Sequence, residues 1–118
     1  MHDDPPPTFT IDESRVDGAV ILSVGDVLDL ATAPTLASEI SAKLAQAPAA
    51  LIVDLTGVTF LASAGITVLI KGQEQAGTTV RFGIVADGPA TSRPIKLLGL
   101  DDTLAMYPTL DDALRELR

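Results

Sequence analysis

The stretch Leu51-Ile52-Val53-Asp54-Leu55-Thr56-Gly57-Val58-Thr59-Phe60-Leu61-Ala62-Ser63-Ala64-Gly65-Ile66 decides how the chain is read. It opens with a short apolar run of the kind a buried strand needs. Thr56-Gly57 predicts a turn after a strand over residues 50–55, and Ser63 stands where a helix over residues 63–76 should begin. Serine is a preferred N-cap residue, so its hydroxyl is expected to take up amides of the first helical turn. A hydroxyl held at a helix N-terminus is also a natural carrier of a phosphate, because free N–H groups and the helix dipole favour negative charge there. Both readings, phosphate carrier and plain helix cap, fit the spacing. Gly77 is placed to close the helix as its C-cap.

Working outward, residues 8–15 alternate apolar and polar, with Phe9 and Ile11 against Thr10 and Asp12, the mark of a half-buried edge strand. Asp17-Gly18 predicts a hairpin turn. Residues 19–24 are nearly all apolar, as in a central strand covered on both faces. A loop is expected over residues 26–33, feeding a helix capped near Thr32 with Pro34 in its first turn. Leu36, Ile40 and Leu44 repeat at four-residue spacing, Glu39 and Lys43 form an i,i+4 pair, and Pro48 ends the helix.

Downstream, residues 79–85 read as a third buried strand with Val80, Phe82 and Ile84 on one face. Asp87-Gly88-Pro89 turns the chain into a helix over residues 90–98, in which Pro94 is a kink or a restart. A short strand over residues 103–107 and a helix over residues 111–117, capped by Thr109, complete the chain. In the helix after Ser63, one face packs on the sheet through Val68, Leu69, Gly65 and Gly72. The other face either meets a neighbouring helix or stays exposed as a partner surface. Strands alternating with helices imply right-handed parallel units behind an antiparallel hairpin. The fold class is therefore α/β, a single domain with a small mixed sheet and about four helices.

Composition narrows the function. A chain of 118 residues is one domain, and 47% hydrophobic residues with 3% aromatics give it an aliphatic core. The net charge of −8 argues against nucleic-acid and anionic membrane partners. No apolar run approaches the roughly 20 residues of a membrane span. Residues 1–7 are expected to be a flexible leader without signal-peptide character, and a cytoplasmic location follows. Zero cysteines exclude thiolate metal sites and redox switches, and the one histidine, His2, lies in that leader. Ser63 thus has no ordered base, the Gly-x-Ser-x-Gly elbow is absent, and neither phosphate-loop nor dinucleotide fingerprints occur. The pairs Asp3-Asp4, Asp101-Asp102 and Asp111-Asp112 read as solvated caps. No catalytic residue, metal ligand or cofactor is expected.

The segment from Asp54 through Ile66 resembles the signature of the STAS-domain anti-sigma factor antagonists, where an aspartate-led Leu-x-x-Val-x-Phe-x-Asp-Ser-x-Gly-Leu segment carries a regulatory phosphoserine. Leu28-Asp29-Leu30-Ala31-Thr32-Ala33 is similar to that family's Glu-Ile-Asp-x-x-Thr-Ala loop, and Arg93-Pro94-Ile95-Lys96-Leu97-Leu98-Gly99-Leu100 to its closing helix. The resemblance spans residues 8–117. It implies partner switching, in which the unphosphorylated protein binds an anti-sigma factor, often an ATP-dependent serine kinase, and frees a sigma factor. Phosphorylation then dissolves the complex. Carried over by position, Ser63 is the phosphoacceptor, and Asp29, Leu30, Thr32, Leu61, Ala62, Ala64, Gly65, Ile66 and Thr67 form the partner surface with it. The chain departs from the pattern at Ala62, in place of aspartate, and at Val27, in place of glutamate. The rival reading is a STAS module that binds a protein or ligand constitutively, with Ser63 only a cap.

Overall fold

The computed structural model describes residues 9–117, so the expected leader and His2 lie outside the described residues. Five strands and four helices follow one another as β1 (Thr10–Val16), β2 (Ala19–Leu28), α1 (Ala33–Ala45), β3 (Ala50–Leu61), α2 (Ser63–Ala76), β4 (Arg81–Val85), α3 (Ser92–Leu97), β5 (Met106–Tyr107) and α4 (Leu110–Leu117). The strands lie in the sheet in chain order. β1 pairs antiparallel to β2, and all later pairs are parallel. The expected mixed α/β architecture is the one found.

The hairpin follows from two residues. Asp17 and Gly18 sit at φ 50° and 86°, the two left-handed positions of a type I′ turn. They close the ladder between Val16 and Ala19. Alternation along the strands then sorts the core into two layers. Val20, Leu22, Val24, Leu51, Val53, Leu55, Phe82 and Ile84 face α1, α2 and α3. Ala19, Ile21, Ala50, Ile52 and Val85 face α4 through Ala113 and Leu117. A sheet covered on both faces requires unbroken apolar runs, which is what residues 19–22 and 50–53 supply.

Several boundaries move. β2 and β3 do not stop at Val24 and Leu55 but run on to Leu28 and Leu61, so the loop expected at residues 26–33 shrinks and the turn expected at Thr56-Gly57 is strand. Gly25 pairs with Gly57, and the register slips between Ser23 and Gly25 and between Asp26 and Val27, with Asp26 at φ 74°. A bulge thus admits turn-favouring residues into a continuing ladder. β4 loses Thr79 and Val80, whose amides bond back to Ala76 O at the end of α2. α3 begins at Ser92, not residue 90, so Pro94 falls in the first turn, where no intrahelical bond is lost. A 3-10 turn over Leu100–Asp102 takes residues that precede the shortened β5.

α1 packs against α2, so the second face of α2 meets a helix. Val68 lies with Ala37, Ile40 and Ser41 between the two helices, while Leu69 is fully buried and Gly72 sits against Phe82. Pro34 opens α1, and Leu36 and Ile40 are buried as the spacing predicted. Lys43 bridges Glu39 at 3.7 Å, yet its shorter contact is Glu13 on β1 at 2.9 Å. Thr109 caps α4 by accepting the Asp112 amide at 3.1 Å.

Candidate functional site

The long arms of β2 and β3 carry the two segments of the site to one end of the sheet. Val27 lies beside Phe60 and Leu28 beside Leu61. Immediately afterwards the Ala62 amide donates to Leu28 O at 2.9 Å, which joins the start of α2 to the loop leaving β2. Gly65 makes the approach possible. A Cβ there would stand 2.7 Å from Leu28 Cγ and 2.8 Å from Leu61 Cδ1.

Ser63 does not cap α2. The extended residue at the N-cap is Ala62, at φ −84° and ψ 166°, and no side chain bonds into the helix end. Because β3 runs through Leu61, only Ala62 remains for the strand-to-helix transition, and Ser63 is already the first helical residue. Its side chain is exposed. The Gly65 and Ile66 amides reach Ala62 O at 3.0 and 3.2 Å, and the Thr67 hydroxyl donates to Ser63 O at 3.0 Å. The amides of Ser63 and Ala64, at the positive end of the dipole, have no acceptor within the helix.

The neighbouring loop is built by Asp29 and Thr32. Asp29 Oδ1 accepts the amides of Ala31 and Thr32 at 3.0 and 3.2 Å. The Thr32 hydroxyl accepts the Asp29 amide and donates to Val27 O, both at 2.9 Å. Thr32 therefore occupies the N-cap position of α1 but bonds backward, into its own loop. The result is to hold Leu30 out in solvent at 80% exposure.

Of the expected partner surface, Leu30, Ser63 and Thr67 are exposed, and Asp29, Ala62 and Ala64 are half-buried. Thr32, Leu61, Gly65 and Ile66 are buried, so they shape the surface from beneath. Sequence reading missed the neighbouring apolar ground. Phe60, Leu97 and Leu98 are 56%, 76% and 61% exposed, and Phe60 and Leu97 border an open groove with Arg93 and Pro94. The adjacent pair Leu97-Leu98 was the available signal, since neighbours on a helix point apart and a single contact face buries only one. The carboxylate pairs lie elsewhere: Asp101 and Asp102 in the 3-10 turn, Asp111 and Asp112 in the first turn of α4. Among the described residues no helix is long and apolar enough to cross a membrane.

Comparison with known proteins follows the same lines. The STAS domain family model matches residues 10–113. An anti-sigma-F factor antagonist of Mycobacterium tuberculosis, RsfB, is 42% identical over 113 residues, which cover 96% of this chain and 93% of that protein. The crystal structure of an anti-sigma factor antagonist from Mycobacterium paratuberculosis is 46% identical, covers 97% of each chain and superposes with a TM-score of 0.90. The anti-sigma factor antagonist SpoIIAA in its unphosphorylated form, 17% identical over 92% of this chain and 96% of its own, shares the fold with a TM-score of 0.76. With a family model matched over most of the chain and antagonist relatives more than 40% identical over nearly all of it, the chain belongs to the STAS-domain family of anti-sigma factor antagonists.

Proposed function

We propose that this chain binds an anti-sigma factor of the ATP-dependent serine kinase type in the cytoplasm, thereby frees a sigma factor, and is released when Ser63 is phosphorylated. One observation carries the reading: Ser63 is an exposed first helical residue whose hydroxyl is not spent on capping, beside a loop built to hold Leu30 in solvent. The antagonist relatives support the same assignment.

The site also suits a phosphate. Phosphorylation adds roughly −1.5 to −2 charges, and a helix N-terminus favours them. The domain stays folded, and the switch acts by placing charge and bulk on the partner surface. Ala62 contributes no second negative charge next to the serine.

The test compares wild type with Ser63→Ala and Ser63→Glu in affinity capture from lysate, read by mass spectrometry. Wild type and Ser63→Ala are expected to retain a kinase-like anti-sigma protein that Ser63→Glu loses. The melting temperature of Ser63→Glu, followed by circular dichroism, is expected to stay at or slightly above that of wild type. Equal capture by all three makes the chain a constitutive binding module and ends the switch reading.

A further inference from the structure

β3 is twelve residues long and β4 only five. β4 pairs with β3 from Ala50 to Asp54 and stops, whereas β2 stays paired with β3 as far as Leu61. Among the described residues, residues 55–61 therefore have no strand on the side away from β2. An unpaired edge presents a row of amides and carbonyls, a ready template for another chain. The Thr56 amide is already turned back to Asp54 Oδ1 at 2.9 Å. Thr59 and Phe60 follow it, both exposed.

What stands across from this edge cannot complete it. An open groove of about 590 Å³ separates Phe60 and Leu61 from Pro89, Pro94 and Leu97. Of the five residues on that far wall two, Pro89 and Pro94, are prolines, which have no amide to offer. The groove's charged residue is Arg93, exposed and outside every ion pair among the described residues. Lys96 lies on the same short helix and lines the adjoining depression with Arg93 and Asp87, two cations to one carboxylate. In a chain of net charge −8, Arg93 thus sets a positive charge beside apolar ground.

We propose that an extended segment of the partner, alternating acidic and apolar residues, adds as a strand to the free edge of β3 within residues 56–61 and sets a carboxylate against Arg93. Main-chain bonds supply affinity, as in other strand additions, and the alternate side chains meet the groove and its rim. The partner's identity rests on the antagonist reading, but the edge, the groove and the charge do not.

The test uses the full chain, isotope-labelled, with the synthetic peptide acetyl-Glu-Val-Glu-Val-Glu-Val-amide and its Lys-Val counterpart. The acidic peptide is expected to slow hydrogen exchange at alternate amides within residues 56–61, and the basic peptide to leave them unchanged. Arg93→Glu, a change at an exposed position, is expected to weaken binding of the acidic peptide about tenfold or more, because it sets like charges face to face. Three results overturn the proposal: no binding, chemical-shift changes without amide protection, or equal binding of both peptides. A concentration-dependent dimer in sedimentation equilibrium that Arg93→Glu abolishes also overturns it, by giving the edge to a second copy. Capture of an anti-sigma protein by wild type tests the antagonist reading separately, so either idea fails without the other.

Discussion

Thr32 is the residue on which the shape of the β2–α1 loop turns. The residue is 2% exposed, and its hydroxyl is the acceptor for the Asp29 amide and the donor to Val27 O. Valine has the same outline but neither function, so Thr32→Val leaves one part-buried amide and one part-buried carbonyl without this partner. Each orphaned group costs about 1–3 kcal/mol, and urea denaturation is expected to register a loss of about 2 kcal/mol for the pair after relaxation. The loop also holds Leu30 in solvent, so partner affinity should fall more in Thr32→Val than in Thr32→Ser, which keeps the hydroxyl. Ser63, two residues past the end of β3, has the opposite character. Exposed and unbonded in capping, its hydroxyl contributes no cap bond to the helix.

At the scale of elements, the junction of α2 with the β2–β3 arms depends on Gly65. Alanine there gains about 1 kcal/mol of helix propensity, but its Cβ falls 2.7 Å from Leu28 Cγ and 2.8 Å from Leu61 Cδ1, in a fully packed corner. Overpacking wins: Gly65→Ala is expected to lose about 1 kcal/mol net in denaturant titration and to shift the amide resonances of residues 61–64. This corner also marks where sequence reading was strong and where it failed. The Asp17-Gly18 hairpin, the stripe of Leu36 and Ile40 and the Thr109 cap were legible because each rests on local chemistry. The extensions of β2 and β3 were not, because Gly25, Asp26, Thr56 and Gly57 are turn formers. Only their pairing across the two strands, with a bulge at Asp26, keeps them in the ladder. That pairing is non-local, and the same error misplaced Ser63 as a cap. The two segments of the candidate site were readable along the chain; their geometry and the groove beside them depended on strand length.

Across the whole molecule the two faces of the sheet are unequal. Three helices and the larger cluster cover the face that includes Leu28, Leu61 and the start of α2, while α4 alone covers the other. Leu117 anchors α4 against Gly83 at 8% exposure, and Leu117→Ala is expected to destabilise by about 2 kcal/mol, the low end for a buried leucine, while leaving partner capture intact. On the opposite edge, β1 is tied to α1 by the Glu13–Lys43 contact, and this tie has a pH signature. The Lys43 hydrogen bond, helped by Arg15, holds the Glu13 carboxyl below its usual value, and the Glu13 carboxylate raises the Lys43 ammonium. For Glu13 the folded-state value lies below the unfolded one of about 4.3, so its contribution is present above that pH and is lost as pH falls through the folded value. For Lys43 the shift is upward, so its contribution is present below about 10.4 and is lost as pH rises through the folded value. Between those limits the pair contributes a constant amount. Thermal melts of wild type and Glu13→Gln at pH 7, 5 and 3 are expected to differ by the same margin at the first two and by a smaller one at the third. A margin undiminished at pH 3 would assign the stabilisation to packing of the Glu13 side chain rather than to its charge.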